Sequence, residues 1–150
     1  MPDRVQFELV TPERLLLSER VEMVVIPGTE GNFGVLPGHA PLISSIRPGT
    51  IDIYEGQAIA RRIFVVSGIA EVTPELCTVL ADEAMAPGEL DRGAIDAELQ
   101  TDQGNLPSLR DRVSRATGAE HETLLVELHR LERQQNILQA KLQALAELPR

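Results

Sequence analysis

Apolar and polar positions alternate along the first half of the chain. Val5, Phe7 and Leu9 are separated by Gln6 and Glu8, and Pro12 closes the run. A second run holds Leu15 and Leu17. A third, Glu22-Met23-Val24-Val25-Ile26, is expected to stop at Pro27-Gly28. Residues 42–46 precede the turn Arg47-Pro48-Gly49, and Ile51 and Ile53 alternate with Asp52 and Tyr54 before Glu55-Gly56. Residues 59–66, 70–73 and 76–81 complete the set. A two-residue period marks strands, because successive side chains point to opposite faces. Short strands separated by Gly and Pro turns predict a two-sheet β-sandwich of about ten strands. Val24-Val25-Ile26 and Ile63-Phe64-Val65-Val66 are apolar at consecutive positions. Such strands are expected to be covered on both faces, by the second sheet and the tail or by a partner.

The second half changes period. Leu124, Leu128, Leu131, Leu138, Leu142 and Leu145 follow a 4-3-7-4-3 spacing, a heptad seam with Gln135 at the vacant position. This predicts a long helix near 120–148, ended by Pro149. Its back is charged (Glu127, Arg130, Glu132, Arg133), so the apolar stripe must pack on a helix, the sandwich or another chain. Earlier, Asp91 can cap a short helix near 91–102 carrying Ile95 and Leu99. Gly104-Asn105-Leu106-Pro107 is expected to break it. Ser108 with Asp111 resembles a capping box and would start another short helix near 108–117, stopping at Gly118.

Composition supports this division. Of ten prolines and eleven glycines, eight of each lie in residues 1–88. The expected domains are therefore a β-sandwich over 1–86 and a helical tail over 87–150, with the boundary near Ala86-Pro87-Gly88. The 43% hydrophobic content excludes a disordered chain, and only 3% aromatic residues means an aliphatic core. Net charge is −9, with 6 basic against 12 acidic residues in 1–88 and 8 against 11 in the tail. That balance argues against a nucleic-acid binder and against a basic patch for anionic lipid. No apolar run approaches the ~20 residues of a membrane-spanning helix. The start, Met1-Pro2-Asp3-Arg4-Val5, has neither a signal-peptide core nor an Arg-rich leader, so an intracellular chain is expected. One cysteine, Cys77, rules out an internal disulfide framework and a Cys-based zinc cluster.

The densest unusual segment is Pro27-Gly28-Thr29-Glu30-Gly31-Asn32-Phe33-Gly34-Val35-Leu36-Pro37-Gly38-His39-Ala40-Pro41. Its glycines look like a phosphate cradle, but no Gly-Lys-Ser/Thr follows and no helix opens after it, so the P-loop reading fails. It reads either as a plain β-turn with a flexible tip or as an exposed tip, with apolar Phe33, that touches a partner. His39 reads as a hydrogen-bonded loop residue. His121 and His129, eight apart, share roughly one helix face and read as solvent-exposed beside Glu122 and Glu132. Three histidines in these positions do not make a metal site. Cys77, in an apolar strand, reads as a small buried hydrophobe. No Ser/His/Asp arrangement and no framed carboxylate pair is present, so the residues give no reason to expect an enzyme.

Taken together, these residues resemble a known family, the epsilon chains of bacterial F-type ATP synthases (delta chains in mitochondria). The resemblance is carried by Phe7-Glu8-Leu9-Val10-Thr11-Pro12-Glu13-Arg14, the whole 27–41 segment, Arg47-Pro48-Gly49, Ser67-Gly68-Ile69-Ala70-Glu71-Val72 and Val79-Leu80-Ala81-Asp82-Glu83-Ala84. It covers residues 5–86 almost continuously. It implies a non-catalytic rotor subunit at the foot of the central stalk, without a cofactor, peripheral at the cytoplasmic face of the bacterial inner membrane. By position, Glu30, Gly31, Asn32 and Phe33 would face the ring of membrane c subunits. His39, Ala40, Pro41 and Leu42 would lie near the gamma subunit. Asn32 departs from an acidic residue often found at its place. The family's tail is a two-helix hairpin that folds on the sandwich or extends along gamma, toward the alpha and beta subunits, and blocks ATP hydrolysis. Some members bind ATP there through Ile/Leu-Asp-x-x-Arg-Ala. Here Ile95 and Asp96 match, whereas Leu99 and Gln100 replace Arg and Ala, which removes the charged donor and implies weak or no ATP binding. The alternative reading is a free-standing nucleotide-binding β domain with a helical lid.

Overall fold

The fold was analysed in a computed structural model, which describes residues 3–148. Met1, Pro2, Pro149 and Arg150 lie outside the described residues, and with them the expected helix stop at Pro149. The chain divides into two compact units between Glu89 and Leu90.

The first unit has ten strands: β1 (Val5–Val10), β2 (Leu15–Val21), β3 (Met23–Gly28), β4 (Gly31–Val35), β5 (Leu42–Ile46), β6 (Gly49–Glu55), β7 (Ala58–Val65), β8 (Gly68–Val72), β9 (Leu76–Ala81) and β10 (Ala84–Met85). A 3-10 turn, Pro87–Glu89, closes the unit. The strands run in the order β10-β7-β6-β3-β5-β8-β9-β1-β2, with β4 added on β3. A single pair, Gly28↔Ile46, joins β3 to β5. The sheet folds over there, giving a β-sandwich whose layers are β10-β7-β6-β3-β4 and β5-β8-β9-β1-β2. All pairs are antiparallel except β1 with β9. Alternation decides what is inside. Val5, Phe7 and Leu9 of β1, Val24 and Ile26 of β3, Ile51 and Ile53 of β6, and Val79 of β9 form one core, aliphatic but for Phe7 among these residues. Each such side chain contributes ~1.5–3 kcal/mol when fully buried.

One strand differs from expectation. Pro27 and Gly28 do not stop β3; they are its last two residues. On the side away from β4, β3 pairs with β6 only as far as Val25↔Asp52 and meets β5 only at Gly28. Pro27 therefore sits at a gap in the ladder, where a missing N–H is tolerated.

The second unit is a helical hairpin of α1 (Arg92–Arg115) and α2 (Gly118–Ala146). Asp91 caps α1, its Oδ1 accepting from the Ala94 N–H at 3.2 Å. The expected break at 104–107 does not occur: α1 runs unbroken through Gly104 and Pro107, so the two short helices are one. Pro107 removes one intrahelical bond, to the Gln103 carbonyl, and strains its turn. Burial of Leu106, Leu109 and Val113 against Leu124, Leu128 and Leu131 of α2 outweighs that cost. Gly118, with φ +63, makes the reversal, a conformation that favours glycine. Among the described residues no helix is long and apolar enough to cross a membrane.

Candidate functional site: the tip hairpin and an apolar sheet face

The glycine-rich segment folds into a β-hairpin. β3 and β4 pair from Val24↔Val35 to Gly28↔Gly31, leaving Thr29-Glu30 as a two-residue loop. Gly31 has φ +132, outside the range of ordinary L residues. A Cβ on Gly28 would lie 2.8 Å from the Gly31 carbonyl oxygen and 3.0 Å from the Phe33 ring, so only glycine lets that ring lie over the strand. Phe33 is thus not an exposed tip residue: it is half-buried and packs against the sandwich core. The exposed tip residues are Thr29, Glu30, Gly31 and Asn32.

Arg47 holds this hairpin, a role sequence reading missed because Arg47-Pro48-Gly49 looks like an ordinary turn. Its guanidinium donates to the Gly28 carbonyl and to Asn32 Oδ1, both at 2.6 Å. Its backbone N–H donates to the Pro27 carbonyl at 3.0 Å, and the Thr29 N–H donates to the Ser45 carbonyl at 3.0 Å. The Asn32 side-chain amide oxygen is the acceptor for an internal clamp. Thr29–Phe33 on one side and Leu42–Ser45 on the other border an open recess of ≈ 420 Å³. It brings Glu30, Gly31, Asn32, Phe33 and Leu42 together.

His39, Ala40 and Pro41 are not part of that recess. They lie in a connection pinned by the Gly38 N–H on the Pro74 carbonyl, at 2.9 Å. His39 Nδ1 is 2.7 Å from the Ala40 carbonyl, and its ring is half-buried. Ala40, Pro41 and Leu42 are exposed.

A second surface emerges only from the register. Ser45↔Ile69, Ile69↔Leu80, Leu80↔Val10 and Val10↔Leu15 are directly paired across β5, β8, β9, β1 and β2. The row is apolar except at Ser45, and it faces outward: Leu15, Leu80 and Ile69 are 55%, 53% and 49% exposed. Ile43, 72% exposed, stands beside it in the neighbouring row with Glu71. A small recess of ≈ 220 Å³ opens at Val10, Thr11, Pro12 and Leu80. The sequence signal at Val10, Ile69 and Leu80 was an apolar residue on the polar phase of its strand, as at Leu80 between Val79 and Ala81. Leu15, in phase with Leu17 and Val21, joins the row only through the register shift between Leu9 and Val10.

The remaining candidates lie elsewhere. Cys77 is fully buried, and desolvation pushes its thiol up to about 12. On α1, Ile95 is buried in the hairpin seam while Asp96 is exposed. Leu99, at the position of the nucleotide-motif arginine, is also in the seam. His121 is half-buried rather than solvent-exposed, its Nδ1 3.0 Å from the Val113 carbonyl near the end of α1. Among the described residues no group of three His, Cys, Asp or Glu side chains is placed to hold a metal ion.

Comparison with known proteins bears on this geometry. The family profile for the ATP synthase delta/epsilon chain β-sandwich domain matches residues 4–87. The ATP synthase epsilon chain of Rhodospirillum rubrum is 51% identical over 120 residues, covering 80% of this chain and 90% of its own. That of Rhodospirillum centenum is 45% identical over 152 aligned positions, covering 97% and 94%. The fold is shared with a chain in a Euglena gracilis mitochondrial ATP synthase structure comprising OSCP, F1 and c-ring. There the TM-score is 0.72 and identity 22%, covering 97% of this chain and 83% of that one. A chain of the Tetrahymena thermophila mitochondrial ATP synthase central stalk and c-ring gives a TM-score of 0.60 at 12% identity, covering 94% and 96%. With sandwich and tail both matched in relatives of this similarity, the chain belongs to the ATP synthase epsilon chain family.

Proposed function

We propose that this chain is the non-catalytic central-stalk subunit that fixes the gamma subunit to the ring of membrane c subunits, so that both turn together during ion-driven ATP synthesis. The observation that carries this reading is the outward apolar row Ile69-Leu80-Val10-Leu15, with Ile43 beside it. A contiguous apolar surface across four strands is what a permanent partner covers. Gamma docks on that face and on the adjoining 39–42 connection. The tip at 29–32, stiffened by Arg47, meets the polar loops of the ring. An acidic surface, with Lys141 the only lysine, suits basic partner loops. The chain sits peripherally at the membrane through these partners. The tail binds ATP weakly or not at all, since the arginine position is a leucine packed in the seam. When it extends along gamma toward alpha and beta, it blocks hydrolysis.

The test is equilibrium binding to purified gamma. Leu80→Asp should weaken binding at least tenfold, since burying an unpaired carboxylate in an interface centre costs more than about 1.4 kcal/mol. Its melting temperature should stay close to that of the parent because the position is half-exposed. Gamma affinity unchanged by both Leu80→Asp and Ile69→Asp would refute the docking face.

A further inference from the structure

The hairpin seam is interrupted at one level on both helices. On α1 the inward residues are Ile95, Leu99, Asp102, Leu106, Leu109 and Val113, a 4-3-4-3-4 repeat with Asp102 in an apolar position. On α2 the vacant heptad position between Leu131 and Leu138 is Gln135. Leu106, Leu109 and Val113 pack on Leu124, Leu128 and Leu131. Ile95 and Leu99 pack with Leu138, Leu142 and Leu145. Asp102 and Gln135 therefore occupy the same level, between two separate apolar clusters.

Three features weaken that level. Asp102 is only 6% exposed, and its Oδ2 accepts no hydrogen bond. Among the described residues it forms no ion pair. A carboxylate oxygen buried without a partner disfavours the closed state, because opening returns it to water. The adjacent Gln103 carbonyl loses its helical donor at Pro107. Gly104, in the same turn, adds backbone freedom.

The two ends of the hairpin are also unequal. At the turn, Arg112 and Arg115 lie in the last turn of α1, and His121 reaches the Val113 carbonyl. At the other end, α2 has no basic residue in its last turn, and Glu147 is its C-cap. Basic groups favour a helix C-terminus and acidic groups disfavour it.

We propose that the Asp102–Gln135 level is a built-in parting point. The outer half of the hairpin, carrying Leu138, Leu142 and Leu145, unpairs from Ile95 and Leu99 while the half beside the turn stays closed. The device needs no ligand and is independent of the stalk assignment. It gives the hairpin a half-open state between closed and fully separated helices.

Hydrogen–deuterium exchange of the full chain, read by peptide mass spectrometry, tests it. Residues 136–146 should exchange at least about tenfold faster than residues 121–131. Asp102→Leu should slow the outer segment about tenfold or more and leave the turn segment within about twofold. Gln135→Leu should act in the same direction, which keeps the test open if the first variant folds poorly. A single exchange rate through both halves of the parent would overturn the proposal. So would slowing of both halves together, or of neither, in the variants.

Discussion

Arg47 offers the most direct test of the tip geometry. Truncation to alanine removes two guanidinium hydrogen bonds, to the Gly28 carbonyl and Asn32 Oδ1, and leaves the backbone bond to Pro27 intact. Charge-assisted bonds are worth ~1.5–3 kcal/mol when sheltered. Arg47 is half-buried and Asn32 exposed, so solvent lowers the sum for the pair to roughly 1.5–2.5 kcal/mol. The core does not depend on these bonds, so the loss should appear as local opening of the hairpin end. Local opening then rises roughly ten- to sixty-fold. The Thr29 amide, bonded to the Ser45 carbonyl, is the natural reporter in exchange measured by NMR. Arg47→Lys, which keeps the charge but not the two-pronged geometry, should fall between parent and alanine. Unchanged Thr29 exchange in Arg47→Ala would show that the clamp does not hold the tip. A fall in melting temperature above ~20 °C, more than the loss of roughly 1.5–2.5 kcal/mol gives at ~4–8 °C per kcal/mol, would show that Arg47 supports the core instead.

Other positions make sharper contrasts. At Gly68, φ is +149 and a Cβ would lie 2.0 Å from the Leu80 carbonyl oxygen, so Gly68→Ala must part β8 from β9 and should cost more than ~3 kcal/mol in denaturant unfolding. Gly56→Ala, at φ +66 in open space, should cost only ~1–2 kcal/mol; equal losses at the two sites would contradict the clash. Phe33→Ala should destabilise by ~2 kcal/mol, below the loss at a fully buried ring, and a parental denaturation midpoint would show that the ring is free in solvent. Cys77 has a folded-state value near 12, above the unfolded 9.0. The unfolded chain therefore loses this proton first, and the thiol's contribution to stability is whole below about pH 9 and falls as pH rises toward 12. Comparing Cys77→Ala with the parent across that window isolates the effect, and parallel curves would contradict it.

The strands were legible because burial alternates with the pleat, and Val5, Phe7 and Leu9 show it without ambiguity. The extension of β3 through Pro27 was not, because the gap that tolerates proline is created by β5 and β6, distant in sequence. The continuity of α1 was hidden for a related reason. Gly104 and Pro107 are local penalties, whereas the burial that outweighs them comes from α2. Once the helix is continuous, Asp102 falls between two stretches of one seam, Ile95-Leu99 and Leu106-Leu109-Val113, whereas a helix ending at 102 leaves it at an exposed end. At the site, the 27–41 segment stood out by composition, but its clamp came from Arg47, and its phenylalanine turned inward. The apolar row was written in single residues on four strands, and only the register lines them up.

The parallel pairing of β1 with β9 sets the order in which the chain can become itself. β1 lies between β9 and β2, so it is seated on both sides only after residues 76–81 exist. Until then β2 can offer a hairpin partner but no second edge, and Val5, Phe7 and Leu9 have no finished core to enter. The β1–β9 pairing thus closes a long loop, which makes it a slow contact to form. The helical hairpin, made from neighbours in sequence, has no such loop to close.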